Sequence, residues 1–187
     1  RGITPLMVNR FPSPEEGTGK TRSRKAFDKI KEAEEALYKT DKGVIHLPAN
    51  HFEASMRAAA TEFKYQGKKT YKEVFAREIL VEPTELKFQK PSDPSKYIPK
   101  VDCARMPSTG GRVWVSRPTW DEWEFDFIIT VTAEDVVDKE TLKNVLDLAG
   151  RIKHVGTYRA KFGMFEVVEF EEITEEQAKK FRKMFEA

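Results

Sequence analysis

The chain has 187 residues, of which 39% are hydrophobic and 34% charged, with a formal net charge of +2. No apolar run approaches the roughly 20 residues of a bilayer-spanning helix, which excludes a membrane partner of that kind, and 13 Phe with 3 Trp are too many for a disordered polymer. The single Cys103 excludes an internal disulfide and a cysteine-based zinc site.

Only three Asn and three Gln accompany this charge, a combination that fits a heat-adapted organism. No secretory leader opens the chain, which points to the cytoplasm. Arg1-Gly2-Ile3 reads as the end of a strand, so that residue 1 falls inside an element.

Gly2 to Val8 is apolar and short, a strand broken or bulged at Pro5. Residues 11–25, with two Pro, two Gly and a run of cations, form a flexible basic loop. The spacing of Phe27, Ile30, Ala33 and Leu37 predicts an amphipathic helix over 26–39. Residues 44–48 are extended. Asn50 with Glu53 three positions on predicts a capping box opening a helix over 51–63, whose Ala54, Ser55, Ala58, Ala59 and Ala60 allow close packing against a sheet. Thr70 caps a short helix over 71–77, residues 79–81 are strand-like, and 83–100, with four prolines, is irregular. Strands follow at 101–106 and 112–115. Residues 120–132 alternate, with Trp123, Phe125 and Phe127 on one face and Glu122, Glu124 and Asp126 on the other. Leu142, Val145, Leu146 and Ala149 mark a helix over 139–151, with Gly150 near its end. Residues 153–163 form a basic loop, 164–170 a strand, and Thr174 caps a final helix over 175–185.

The core order is thus strand 2–8, helix 51–63, strands 101–117 and 120–132, helix 139–151 and strand 164–170. That is the split βαβ order of an α+β, ferredoxin-like (RRM-type) fold, a four-stranded antiparallel sheet with two helices on one face. Insertions at about 11–39 and 64–100 and an extra C-terminal helix complete a single domain over 1–187.

Motifs for nucleotide and hydrolytic chemistry are missing. Gly17-Thr18-Gly19-Lys20-Thr21 contains GKT without the leading glycine of a P-loop, and prolines stand where its strand should be. His46 and His51 lack a third ligand nearby in sequence and read as polar histidines, not a metal site. His154, in a basic loop, could meet a phosphate but reads more simply as exposed. Trp120 and Trp123 could stack on bases, yet on an alternating strand they read as core. No catalytic residue, metal or cofactor is expected. Charge distribution is the more informative signal. Residues 151–163 hold four Lys/Arg and no carboxylate, whereas 119–150 hold nine Asp/Glu against two Lys. Basic loops on an otherwise acidic or neutral scaffold suit a polyanion, and the acidic face opposite Phe125 and Phe127 argues against binding on a sheet face.

Three segments resemble the RAMP superfamily, the RRM-fold proteins that form the guide-RNA-binding backbone of CRISPR antiviral complexes. They are Ile3-Thr4-Pro5-Leu6-Met7, His46 to Arg57 (HLPANHFEASMR), and Val155 to Phe165 (VGTYRAKFGMF). The middle one is similar to the family's segment in which a strand turns into the first helix, and the last to its glycine-rich loop. The similarity covers about half the chain. Asn50-His51 stands where the family has Ser-Ser, Ala54 where it has glycine, and the loop has two glycines instead of many. The pattern is also similar to small proteins of phages and archaeal viruses. The resemblance implies that Asn50, His51 and Arg57 lie by an RNA backbone, that Gly156 and Gly163 let the main chain approach phosphates, and that Arg159 and Lys161 supply charge. Capping alone accounts equally well for Asn50, and loop hinges for the glycines. With Arg22, Arg24 and Lys25 of the long basic loop, these residues form the expected site.

The expected function is non-catalytic binding of single-stranded RNA or DNA, RNA favoured, by a homo-oligomer or a ribonucleoprotein component that assembles along the strand. Two other readings stay open. One is a viral assembly protein without nucleic acid. The other is a metal-dependent ribonuclease of RAMP type, in which a loop carboxylate such as Asp93 or Asp102 would act.

Overall fold

A computed structural model describes residues 1–11, 27–105, 110–159 and 161–186. The expected loop over 11–25, the GKT segment, and Arg22, Arg24 and Lys25 lie essentially outside these residues. The described elements are β1 (Leu6–Met7), α1 (Lys29–Glu35), β2 (His46–Pro48), α2 (Asn50–Ala59), β3 (Lys64–Gln66), β4 (Lys69–Thr70), α3 (Lys72–Glu78), β5 (Ile79–Glu82), β6 (Glu85–Lys90), β7 (Ile98–Arg105), β8 (Arg112–Trp120), β9 (Glu124–Phe125), β10 (Ile128–Val131), α4 (Lys139–Leu148) and α5 (Glu175–Glu186). The fold is mixed α+β and every strand pairing is antiparallel. No described helix is long and apolar enough to cross a membrane.

Among the described residues the sheets have two or three strands: β1-β8-β7, β2-β6-β9, β5 with β10, and β3 with β4. The continuous four-stranded sheet expected from the sequence is therefore not formed. Residues 98–105 and 112–120 fold back on one another as a hairpin, with Lys100 opposite Arg117 and Cys103 opposite Trp114. The alternating stretch 120–132 is not one strand. It divides into β9, which pairs with β6, and β10, which pairs with β5. Alternation correctly marks Trp123 and Phe125 as buried, because it reports the buried face; it carries no information about the partner strand. Residues 164–170 likewise make no extended ladder. Among the described residues their main-chain partners fall at 164–166, where Ile3 N–H donates to Met164 O (2.8 Å) and Glu166 N–H to Arg1 O (2.9 Å).

These bonds set the lateral order around the first segment. Val8 N–H donates to Pro118 O (3.2 Å), while Pro5 O and Met7 O accept from Gly163 N–H and Thr157 N–H (both 2.8 Å). Successive residues of an extended chain point their main-chain groups to opposite edges. Hence β8 lies on one edge of residues 3–8, and residues 157–166 lie on the other.

One cluster of buried side chains runs from Leu6 to Phe165, with α2 at its centre. Phe52, Ser55, Met56 and Ala59 form the buried stripe of α2. The small side chains on this stripe admit the π-helical turn Ala149–Lys153 that continues α4, with Ser55 Oγ donating to Ala149 O at 3.4 Å, and α2 also packs against β5. Gly150 sits within that turn, against the main chain of Phe165, where a Cβ would lie 2.2 Å from Phe165 O. The Phe52 ring meets Phe127 at 4.6 Å, Phe165 at 5.3 Å and Phe125 at 6.1 Å between centroids. Helix α1 lies on the β7–β8 hairpin; its buried residue is Ala33, while Phe27 and Ile30, expected inward, are exposed. Helix α5 begins with the expected cap, Gln177 N–H donating to Thr174 Oγ1 (3.4 Å), and Thr174 N–H donates in turn to Gln177 Oε1 (2.7 Å). Arg182 ties it to β5 through Glu82 (2.8 Å).

Phe52 joins α2, β9 and the segment around Phe165, so truncating it opens the centre of the core. Phe52→Ala is expected to lower unfolding free energy by about 3–5 kcal/mol, measured by urea titration.

Candidate nucleic-acid interface

Helix α2 starts where β2 runs into Pro48-Ala49, with Ala49 N–H donating to Thr84 O (2.9 Å). Ala49, not Asn50, is the N-cap, and no side chain caps the helix. The expected capping box does not form because Glu53 is drawn across to β5, where its carboxylate accepts Val81 N–H at 2.9 Å. The Asn50 side chain is left exposed in the first turn, without a hydrogen-bond partner among the described residues. Beside it, the half-buried His51 ring stands edge-on to Tyr38, with centroids 5.6 Å apart.

Facing this helix start is the loop 154–163. Four of its described residues are left-handed: His154 (φ 58°), Gly156 (φ 77°), Tyr158 (φ 57°) and Gly163 (φ 77°). The two non-glycine residues each carry strain on the order of 1–3 kcal/mol. The glycines are explained by close approach to the chain's own backbone. A Cβ on Gly156 would lie 2.4 Å from Met7 O, and one on Gly163 would lie 1.9 Å from Val155 O. Val155 N–H donates to Gly163 O (3.0 Å), and Lys161 and Phe162 N–H donate to Tyr158 O (3.0 and 3.2 Å), closing a turn. His154 is buried, not exposed as its basic surroundings suggested. Its Nδ1 faces Arg159 O and its Nε2 faces Arg151 O (3.1 Å), so the ring spans the base of the loop.

Between helix and loop is an open groove of about 250 Å³ lined by Asn50, His51, Ala54, Val155, Gly156 and Arg159. Four expected site residues, Asn50, His51, Gly156 and Arg159, are brought together here from segments about a hundred positions apart. Arg57 is exposed on the same stripe of α2 as Asn50 and Ala54, about 10 Å along the axis at 1.5 Å per residue. Lys161 is exposed on the loop's turn, outside the groove lining, and Gly163 is buried beneath the loop. A larger depression of about 440 Å³ lies on the surface of α1, lined by Arg10, Lys31, Glu34, Glu35, Leu37 and Lys39. There three cations stand among two carboxylates, Lys39 pairing with Glu34 at 3.0 Å.

Two cations that the sequence did not single out flank the loop. Lys100 Nζ lies 4.5 Å over the Phe162 ring, and the Arg117 guanidinium lies 5.8 Å over Tyr158. Both belong to the hairpin, where they are cross-strand neighbours on one face. Their signal was a pairing register, which composition and periodicity do not contain. Asp93 accepts Ser95 N–H (3.1 Å), and Asp102 stands opposite Val115 on the hairpin; neither lines the groove. Among the described residues no group of three or more His, Cys, Asp or Glu is placed to hold a metal ion.

Burial, with the Arg159 guanidinium nearby, lowers the His51 imidazole from its ordinary value to about 4. At neutral pH it is an uncharged ring with one N–H to donate, and Arg159 is the cation of the groove. Burial also pushes His46 down. No protein-family model matches the chain, and no curated protein matches it.

Two expectations follow from this geometry. Gly156→Ala forces a left-handed alanine against Met7 O, and is expected to destabilise the fold by more than about 1 kcal/mol, read from thermal or urea unfolding. The folded His51 ring resists protonation, so the unfolded chain binds more protons between the ordinary histidine pKa and about 4. Stability therefore falls as pH drops through that window. His51→Gln is expected to flatten this part of the urea-midpoint profile between pH 7 and 4.5, leaving the share due to His46; an unchanged profile would contradict the assignment.

Proposed function

We propose that this chain binds single-stranded nucleic acid, RNA by preference, without catalysing a reaction on it, and that the groove between α2 and the loop 154–163 holds the sugar-phosphate backbone. The observation that carries this reading is the convergence of Asn50, His51 and Arg159 on one open concavity. An exposed guanidinium can take a phosphate in a bidentate fork. The Asn50 carboxamide and the neutral His51 add uncharged donors, and Arg57 and Lys161 add exposed positive charge outside the groove lining. The preference for RNA rests on the resemblance to RAMP proteins, whose strand-to-helix segment and glycine-containing loop correspond to the two walls of the groove.

The lateral order supports the same relationship. Residues 164–166, residues 1–8, β8 and β7 lie side by side, with α2 in the first crossover and α4 in the second. We read this as a ferredoxin-like core whose fourth strand is reduced to a few main-chain bonds. In this reading further copies bind side by side along a longer strand, each taking its own length of backbone.

The test is fluorescence anisotropy with a labelled single-stranded RNA over a series of KCl concentrations. Affinity is expected to fall with salt by about 0.7 in log–log slope per phosphate neutralised. Arg159→Ala should weaken binding and reduce the slope by about that increment. Affinity independent of salt, or a slope untouched by Arg159→Ala, would refute the proposal.

A further inference from the structure

Tyr158 is an unusual residue in its setting. It is a large aromatic at a left-handed position (φ 57°) on a solvent-facing loop, and 52% of its surface is exposed. Asn, Asp or Gly would occupy this conformation with less strain, so the backbone does not explain the ring. Packing does not explain it either, because half the side chain faces water. Its neighbours instead prepare it. Arg117 covers one face, its guanidinium 5.8 Å from the ring centroid, and Phe162 approaches edge-on at 6.4 Å. Nε and Nη1 of Arg117 are shielded from solvent and have no hydrogen-bond partner among the described residues. The guanidinium is thus held against the ring rather than spent on a carboxylate. Lys100 makes the same kind of contact on Phe162. The next residue along the chain is Arg159, the cation of the groove.

From this arrangement we propose that Tyr158 is a base-stacking residue: its uncovered ring surface takes the planar face of a nucleobase while Arg159 holds the neighbouring phosphate. The inference rests on the reading that the groove binds a nucleic-acid backbone, and it adds the chemistry of selection. Base faces are available in an unpaired strand and hidden in a duplex, and stacking on an aromatic ring tolerates any base. Tyr158 therefore confers preference for single strands with little sequence preference. Arg117 acts as a positioning residue, fixing the ring from behind.

The experiment compares two probes of equal length, a single-stranded RNA and an oligomer of the same sugar-phosphate backbone lacking bases. The full chain is titrated by anisotropy at one salt concentration, and its fold is checked by circular dichroism melting. Wild type is expected to bind the base-bearing strand about tenfold more tightly than the abasic one. Tyr158→Gly, which suits the left-handed backbone, should lose that advantage while keeping its affinity for the abasic strand. Tyr158→Phe should behave as wild type, and Arg159→Ala should weaken both probes equally. Tyr158→Gly binding the base-bearing strand like wild type, or losing equally on both probes, overturns the stacking assignment alone. A wild-type chain that binds neither probe overturns the backbone-binding reading and this inference together.

Discussion

The loop between α4 and α5 can reach the first strand only because two of its residues have no side chain. Thr157 and Gly163 donate main-chain hydrogen bonds to Met7 O and Pro5 O, and the space that a Cβ would need at Gly156 and Gly163 is already filled by Met7 O and Val155 O. An L-residue at either position meets both a steric block and an unfavourable φ. This docking decides the rest. It occupies the edge of the first strand that β8 leaves open, and it holds Arg159 against the start of α2. It also turns Tyr158 outward beneath Arg117.

The core supports the same junction from below. Helix α2 packs its small residues on the turn 149–153, so the helix that forms one wall of the groove is fastened to the segment that leads into the other. The aromatic cluster of Phe52, Phe125, Phe127 and Phe165 continues this contact toward β9 and the strand-like residues after the loop. His154 closes the base of the loop from within, its ring buried between two carbonyl oxygens. Groove geometry and core packing are thereby coupled. Asn50, Tyr158 and Arg159 are exposed and His51 is half-buried, but the main chain that carries them is held by buried contacts, the arrangement expected of a preorganised binding surface.

Much of this was legible locally. The buried stripes of α2 and α4, the cap at Thr174, the burial of Trp120 and Trp123 and the clustering of positive charge in 151–163 all follow from spacing and residue type. What depended on long-range choice was not. Asn50 looked like a cap because Glu53 stands three residues on, but Glu53 found a stronger use in Val81 N–H across the core. Residues 120–132 looked like one strand because their faces alternate, yet the chain divides between two partners. His154 looked exposed among cations and is buried. Of the candidate site, the two walls were visible as separate motifs; Lys100 and Arg117 were not, since only the hairpin register brings them to the loop. Periodicity reports which side of an element is buried, while partner and register are settled by the whole fold.

The central claim is that the helix start and the docked loop form one surface for a polyanionic strand. Amide and side-chain NMR shifts of the full chain, followed during titration with a short single-stranded RNA, test it most directly. The account predicts that the perturbed resonances cluster at Asn50, His51, Gly156, Tyr158 and Arg159, with Arg57 and Lys161 at the margins. Shifts confined to α5 or the outer face of α1, or none at all at saturating RNA, would contradict it.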